Sequence, residues 1–212
     1  IPGIEFEFNF QKEHMGQIKL SEINALARKY ISDKNRAIIV EAPEKEKDKL
    51  PNEKTLLDWI NTAGKDVTAY VDEVSNKPLL AKEPAGSKVV SEKKDTAIMT
   101  TTLTFGNGVK AILKPTKFKN DQILITGYHF GGRSLASDED FTSANMAADV
   151  IGGSGLADFK QIQLEKMLSG KNVSISPYIS ETAEGINGSS SPKDLETALQ
   201  LTYLYFTEPR KD

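Results

Sequence analysis

The segment Thr102-Leu103-Thr104-Phe105-Gly106-Asn107-Gly108-Val109-Lys110-Ala111-Ile112-Leu113 spells out a β-hairpin. Residues alternate in character on both sides of an Asn-Gly pair, and Asn-Gly supplies the positive φ that a tight hairpin turn requires. The first strand is expected from Thr100 to Phe105 and the second from Val109 to Leu113, before Pro115.

Downstream, Ile123 to Phe130 reads as another strand, closed by Gly131-Gly132. A helix is expected from about Phe141 to Ile151, ended by Gly152, Gly153 and Gly155, and a second from about Gln161 to Leu168, stopping at Gly170. Val173 to Ile179 and Glu184 to Ser189 form a strand pair. Ser191-Pro192-Lys193-Asp194 combines an N-cap, a proline at the first helical position and an acid at the third. It opens a helix with Leu195, Ala198, Leu199 and Thr202 at core spacing.

Upstream, Ser21 is placed to cap a helix whose Ile23, Leu26, Ala27, Tyr30 and Ile31 share one apolar face. After a polar turn at Ser32 to Asn35, Ala37-Ile38-Ile39-Val40 reads as a short buried strand stopped by Pro43. Between about Pro43 and Lys94, a charge run (Glu44 to Lys49) and three prolines give linker composition. Within it, Asn52 is placed to cap a helix carrying Leu56, Leu57, Trp59 and Ile60. Val67 to Val74 fits strand and helix equally.

The 212 residues carry 27 Lys plus Arg against 30 Asp plus Glu, so no global field draws the chain to nucleic acid. No apolar run is long enough to span a membrane. The absence of cysteine removes disulfides, thiolate zinc sites and cysteine nucleophiles. Opening on Ile1-Pro2-Gly3, the chain reads as a piece of something longer.

The order hairpin, strand, helix, helix, strand pair, helix resembles the opening of a domain of the insulinase/pitrilysin-type (M16) zinc peptidases. Thr102 to Leu113 is similar to that family's first strands, and Gly131-Gly132-Arg133-Ser134 to its Gly-Ser-Arg turn. Asn172 to Ser180 is similar to the strand after its small helix, and Asp194 to Pro209 to the helix that follows. Leu20 to Pro43 resembles the end of a preceding domain. The resemblance implies an α+β fold, LuxS/MPP-like, with a mixed sheet and helices packed on one face, in a truncated domain. It divides the chain into a domain tail (1–42), an interdomain linker (43–98) and the first half of a further domain (99–212).

Active members of the family carry His-x-x-Glu-His on the first helix, where two histidines and a downstream glutamate hold zinc and the motif's glutamate activates water. Alignment of that helix puts Asn145 at the first histidine, Ala148 at the base and Asp149 at the second histidine. An amide is a poor zinc ligand, alanine cannot accept a proton, and one aspartate cannot localise the metal. The resemblance therefore implies no catalytic residue, metal or cofactor in this segment, with zinc belonging to another part of the parent protein. The implied partners are a peptide or protein substrate and the parent's N-terminal catalytic half, with no nucleic acid and no membrane span.

Other candidates have plainer readings. His14 and His129, the only two histidines, read as surface or satisfied residues. Asp138-Glu139-Asp140 lacks calcium-loop spacing and sits where a helix start favours acids. Gly152-Gly153-Ser154-Gly155 lacks the Lys-Ser or Lys-Thr of a phosphate loop. Ser189-Ser190-Ser191 has no nearby histidine base and reads as turn and cap. Lys114, Lys117 and Lys119 form a basic cluster that a loop explains as well as a ligand does.

Two functions follow as expectations. One is a non-catalytic part of an M16 peptidase, forming chamber wall and hinge. The other is a peptide-binding or assembly protein that keeps the fold after loss of catalysis. An isolated half-sheet with open edges is expected to form a homodimer. Relatives with this architecture favour the bacterial periplasm or envelope.

Overall fold

The computed structural model describes residues 2–32, 34–71 and 75–210. The chain forms two units, Ile1–Ala69 and Tyr70–Asp212.

In the first unit, α1 (Ile4–His14) arises from a segment whose Ile4, Phe6, Phe8 and Phe10 repeat every second residue. That period belongs to strands, yet the helix stacks Phe6 on Phe10 (6.1 Å between ring centres) and Phe10 on His14 (4.2 Å), pairs spaced by four. Helix α2 (Leu20–Tyr30) begins one residue before the expected cap. The Glu22 carboxylate accepts a hydrogen bond from the Lys19 backbone N–H at 2.8 Å, taking the role assigned to Ser21. Its Ile23, Leu26, Tyr30 and Ile31 are exposed rather than buried. Residues 36–43 hold no strand, against expectation, and Ile39 is 82% exposed. A strand exists only where a partner edge satisfies its backbone, and no described residue pairs with this run. Helix α3 (Glu53–Thr62) forms as read: Asn52 Oδ1 accepts from the Thr55 N–H at 2.9 Å. Residues 67–71 are irregular, and the remainder of the ambiguous stretch, residues 72–74, lies outside the described residues.

Among its described residues the second unit holds two three-stranded sheets, ordered β1-β2-β3 and β4-β6-β5. Their strands are β1 (Val89–Asp95), β2 (Thr100–Phe105), β3 (Lys110–Leu113), β4 (Ile123–Phe130), β5 (Val173–Ile179) and β6 (Ala183–Ser190). The α+β class stands, but every described pairing is antiparallel, in two sheets rather than one mixed sheet. Strand β1 lies within the stretch read as linker. It escaped notice because Ser91-Glu92-Lys93-Lys94-Asp95 has no apolar alternation and all seven of its residues are exposed. Such charge suits an edge strand, where it discourages further pairing.

Helices α4 (Phe141–Ser154), α5 (Gln161–Met167) and α6 (Leu195–Thr207) complete the unit. Helix α4 runs through Gly152 and Gly153, which were expected to end it, and stops at Gly155 (φ 98°). The next residues turn back: Leu156 and Phe159 exchange backbone hydrogen bonds of 3.0 and 2.8 Å, and the Ala157 N–H donates to Glu208 O beyond α6 (2.9 Å). That turn sends Leu156 and Phe159 into the core with Leu164, Ile175, Ile186, Ala198, Leu201 and Leu204.

Asp194 joins α6 to β5. Its Oδ2 accepts from Ser191 Oγ at 2.7 Å and from the Asn172 N–H at 2.9 Å, and Ser191 Oγ caps the Asp194 N–H at 3.2 Å. Hydrogen bonding from Ser191 and then Asn172 holds this carboxyl below the ordinary aspartate value of about 3.9. A depressed folded-state value means the stabilisation is complete above about 3.9 and fades as pH falls through the folded value. Asp194→Asn is therefore expected to flatten the acid limb of stability against pH, measured as urea midpoints from pH 6 down to 2. An unchanged acid limb would remove this role.

Candidate functional site

Two features of the second unit bear on function: the surface of α4, where the peptidase motif would lie, and the sheet β4-β6-β5. Along α4, Ala144, Ala147 and Ala148 are half-buried, while Asn145, Met146, Asp149 and Val150 face solvent. The Asn145 side-chain amide donates to Phe141 O at 3.1 Å, a bond within the helix. Ala148 offers no donor atom, and Asp149 stands exposed one turn after Asn145. Among the described residues, no group of three or more His, Cys, Asp or Glu side chains is close enough together to hold a metal ion. The motif positions thus present an amide, a methyl group and one exposed carboxylate.

His14 and His129 lie in different units. His14 Nδ1 is 2.9 Å from Phe10 O, and His129 Nδ1 is 3.5 Å from Glu184 Oε1. Glu184 also accepts from the Gly132 N–H. The Gly131-to-Ser134 turn in turn caps the β5–β6 connection: Gly131, Arg133 and Ser134 N–H groups donate to Thr182, Ser180 and Glu181 carbonyls at 2.8–2.9 Å. This glycine turn is structural, and so is the 137–140 segment, where Ser137 Oγ donates to Asp140 Oδ2 at 2.9 Å just before α4.

The sheet has distinct faces and edges. Ile175 and Ile186 point into the core, while Leu124, Thr126, Tyr128, Phe130, Ser174, Ser176 and Asn187 are exposed on the other face. Helix α6 packs on β5 and β6, and α4 lies against β5. On the β5 edge, the Ser191 N–H donates to Asn172 O, so by antiparallel alternation 174, 176 and 178 bond to β6 while 173, 175, 177 and 179 present their backbone outward. Pro177 has no N–H. An added strand can be held along Val173 and Ile175 and loses its donor at 177.

A cleft of about 760 Å3 lies elsewhere, between residues 77–85 and the start and end of the core turn. Leu79 and Leu80 pack on the core there, and Lys77 lies 3.8 Å from Asp158. The end of the stretch read as linker is thus strapped onto the second unit, away from Asn145 and Asp149.

No family profile matches the sequence. A zinc protease described as PQQL-like from Arabidopsis thaliana is 25% identical over 207 residues, covering 97% of this chain and 19% of that protein. The fold is similar to that of the periplasmic protease PqqL from Escherichia coli, with a TM-score of 0.59 and 20% identity over 78% of this chain. The chain has the M16 peptidase fold. A mutant of the ferredoxin protease FusC, solved in complex with Arabidopsis ferredoxin, also gives a TM-score of 0.59, at 16% identity over the whole chain. The M16-like chain spans 18–24% of the length of these relatives. No helix among its described residues is long and apolar enough to cross a membrane.

What the sequence left unmarked is the exposed sheet face. The alternation of β4 shows that Leu124, Thr126, Tyr128 and Phe130 share a side. Only the register reveals which residues of β5 and β6 stand beside them.

Proposed function

We propose that this chain is a non-catalytic part of a zinc-dependent M16 peptidase, forming wall of a substrate chamber and the hinge between its halves. The observation that carries this reading is α4, where the motif positions hold Asn145, Ala148 and Asp149, and where no group of three or more metal-ligating side chains gathers among the described residues. Proteolysis then belongs to the N-terminal half of the parent, which holds the zinc and its water. Residues 1–42 close a preceding domain, 43–98 connect and, through Leu79, Leu80 and β1, fasten onto the wall domain that 99–212 open. The substrate is a peptide or protein, in keeping with the protease names of the similar proteins, one of them solved with a protein bound. The periplasm is the proposed compartment, by analogy with PqqL.

The wall role needs no reactive side chain: a chamber excludes water and holds extended chain through sheet edges and apolar surface. In the full-length protein, Asn145→Ala with Asp149→Ala is expected to leave bound zinc and kcat/KM for a quenched peptide within about twofold of wild type. A loss of zinc stoichiometry, or a fall in kcat/KM of more than about tenfold, would overturn it.

A further inference from the structure

We infer that residues 77–88 are a clamp that makes the end of the connecting stretch part of the wall domain, so that the hinge of the chamber bends upstream of it, within residues 66–69. This deepens, and rests on, the hinge part of the proposed function.

The clamp is fixed at both ends. At its start, Leu79 and Leu80 are half-buried against the core that contains Phe159 and Leu204. At its end, the Gly106 N–H donates to Lys88 O at 2.9 Å and the Asn107 N–H to Ser87 Oγ at 3.2 Å, which ties the segment to the hairpin turn just before β1 pairs with β2. Between these ties, residues 81–85 line the cleft together with Tyr203, and Pro78 and Pro84 restrict the backbone on either side. Tyr70 already reaches the second unit: Lys166 Nζ of α5 lies 2.7 Å from its hydroxyl oxygen and 4.9 Å from its ring centre. Apolar contact and backbone hydrogen bonds hold the clamp, whereas the Lys77–Asp158 pair, with side chains 71% and 84% exposed, adds little.

The stretch before Tyr70 has the opposite character. The end of α3 still holds the Ala63 N–H, which donates to Trp59 O at 2.8 Å, and the Lys65 N–H, which donates to Thr62 O at 3.0 Å. From 66 to 69 every residue is exposed, and among the described residues no backbone group there is bonded to another backbone group. A hinge is a short run whose φ and ψ change without breaking bonds elsewhere, and 66–69 meets that condition where 77–88 does not. The clamp thereby sets the length of free chain. About four free residues reach roughly 11 Å as a flexible coil, while the run from 66 to 87, about 22 residues, would reach roughly 26 Å once released. Holding 77–88 down therefore limits how far the chamber opens.

Trypsin tests the clamp on the full-length protein. The bonds Lys65–Asp66 and Lys82–Glu83 are chemically alike, each a lysine followed by an acid, and Pro78 protects the bond after Lys77. Cleavage requires the local chain to open, so mass spectrometry of a time course is expected to show the Lys65 bond cut at least about tenfold faster than the Lys82 bond. Leu79→Ala with Leu80→Ala should speed cutting at Lys82 about tenfold and leave Lys65 unchanged, and Lys77→Ala should change neither. The Lys171–Asn172 bond, beside buried Asp194, reports on the core and should stay uncut throughout. Equal cutting of the Lys65 and Lys82 bonds in wild type, a Lys82 rate unmoved by the double substitution, or cutting at Lys171 in step with Lys82 overturns the clamp and leaves the hinge reading intact. Small-angle scattering of the same proteins tests the hinge separately: the double-alanine variant should show a radius of gyration roughly 5% larger than wild type as the free chain lengthens. Faster cutting at Lys82 with unchanged dimensions overturns the hinge and leaves the clamp standing.

Discussion

Leu156→Ala is expected to destabilise the second unit by about 3 kcal/mol, within the range found for removing a fully enclosed leucine. Leu156 is 0% exposed, and it sits where the turn after α4 meets both Phe159 and the residues after α6. That turn is pinned by backbone bonds on both sides, so the surrounding elements have little freedom to collapse into the vacated volume. The cost then includes a cavity as well as lost transfer energy. A fall in the urea midpoint, together with faster amide exchange in α6 and β6, is the result to look for. A midpoint within experimental error of wild type would show that the turn is not part of the core.

Gly155→Ala should cost a similar amount, about 3 kcal/mol, and through the backbone. Gly155 has φ 98°, where an L side chain is strained, and a Cβ would run into the Phe159 carbonyl and the Gln161 nitrogen, the latter at 2.9 Å. The neighbouring glycines give an internal control. Gly152 and Gly153 lie inside α4 with nothing within 4 Å of an added Cβ. Gly152→Ala should therefore stabilise, by about 0.5–1 kcal/mol, through helix propensity. Thermal melts of the two variants should move in opposite directions. If both fall alike, the assignment of Gly155 as the sole stop is wrong.

The same three glycines show how far sequence reading reaches. The sequence marks a stop near 152–155, because glycine both lowers helix propensity and permits left-handed backbone. Which glycine acts depends on the chain it must meet, and the backbone of Phe159 and Glu208 decides that. Likewise the chemistry of Asn145, Ala148 and Asp149, an amide, a methyl group and one carboxylate, was legible, since donor type is a property of the side chain alone. Their exposure, and the bond that turns Asn145 back onto Phe141, were not.

Local signals determined the hairpin around Asn107-Gly108, the cap at Asn52 and, at Ser191, the cap of the 3-10 turn Pro192–Asp194 that leads into α6. Each is set within a few residues, where turn conformation and capping geometry leave few alternatives. Tertiary structure decided the rest. It made a strand of Val89–Asp95 because β2 offers it a partner, and it left residues 37–40 without one despite their apolar run. It also set Tyr128, Gly185 and Tyr178 in one row, residues up to 57 positions apart in the chain. Pairing is a property of two segments at once, and no reading of one segment contains its register.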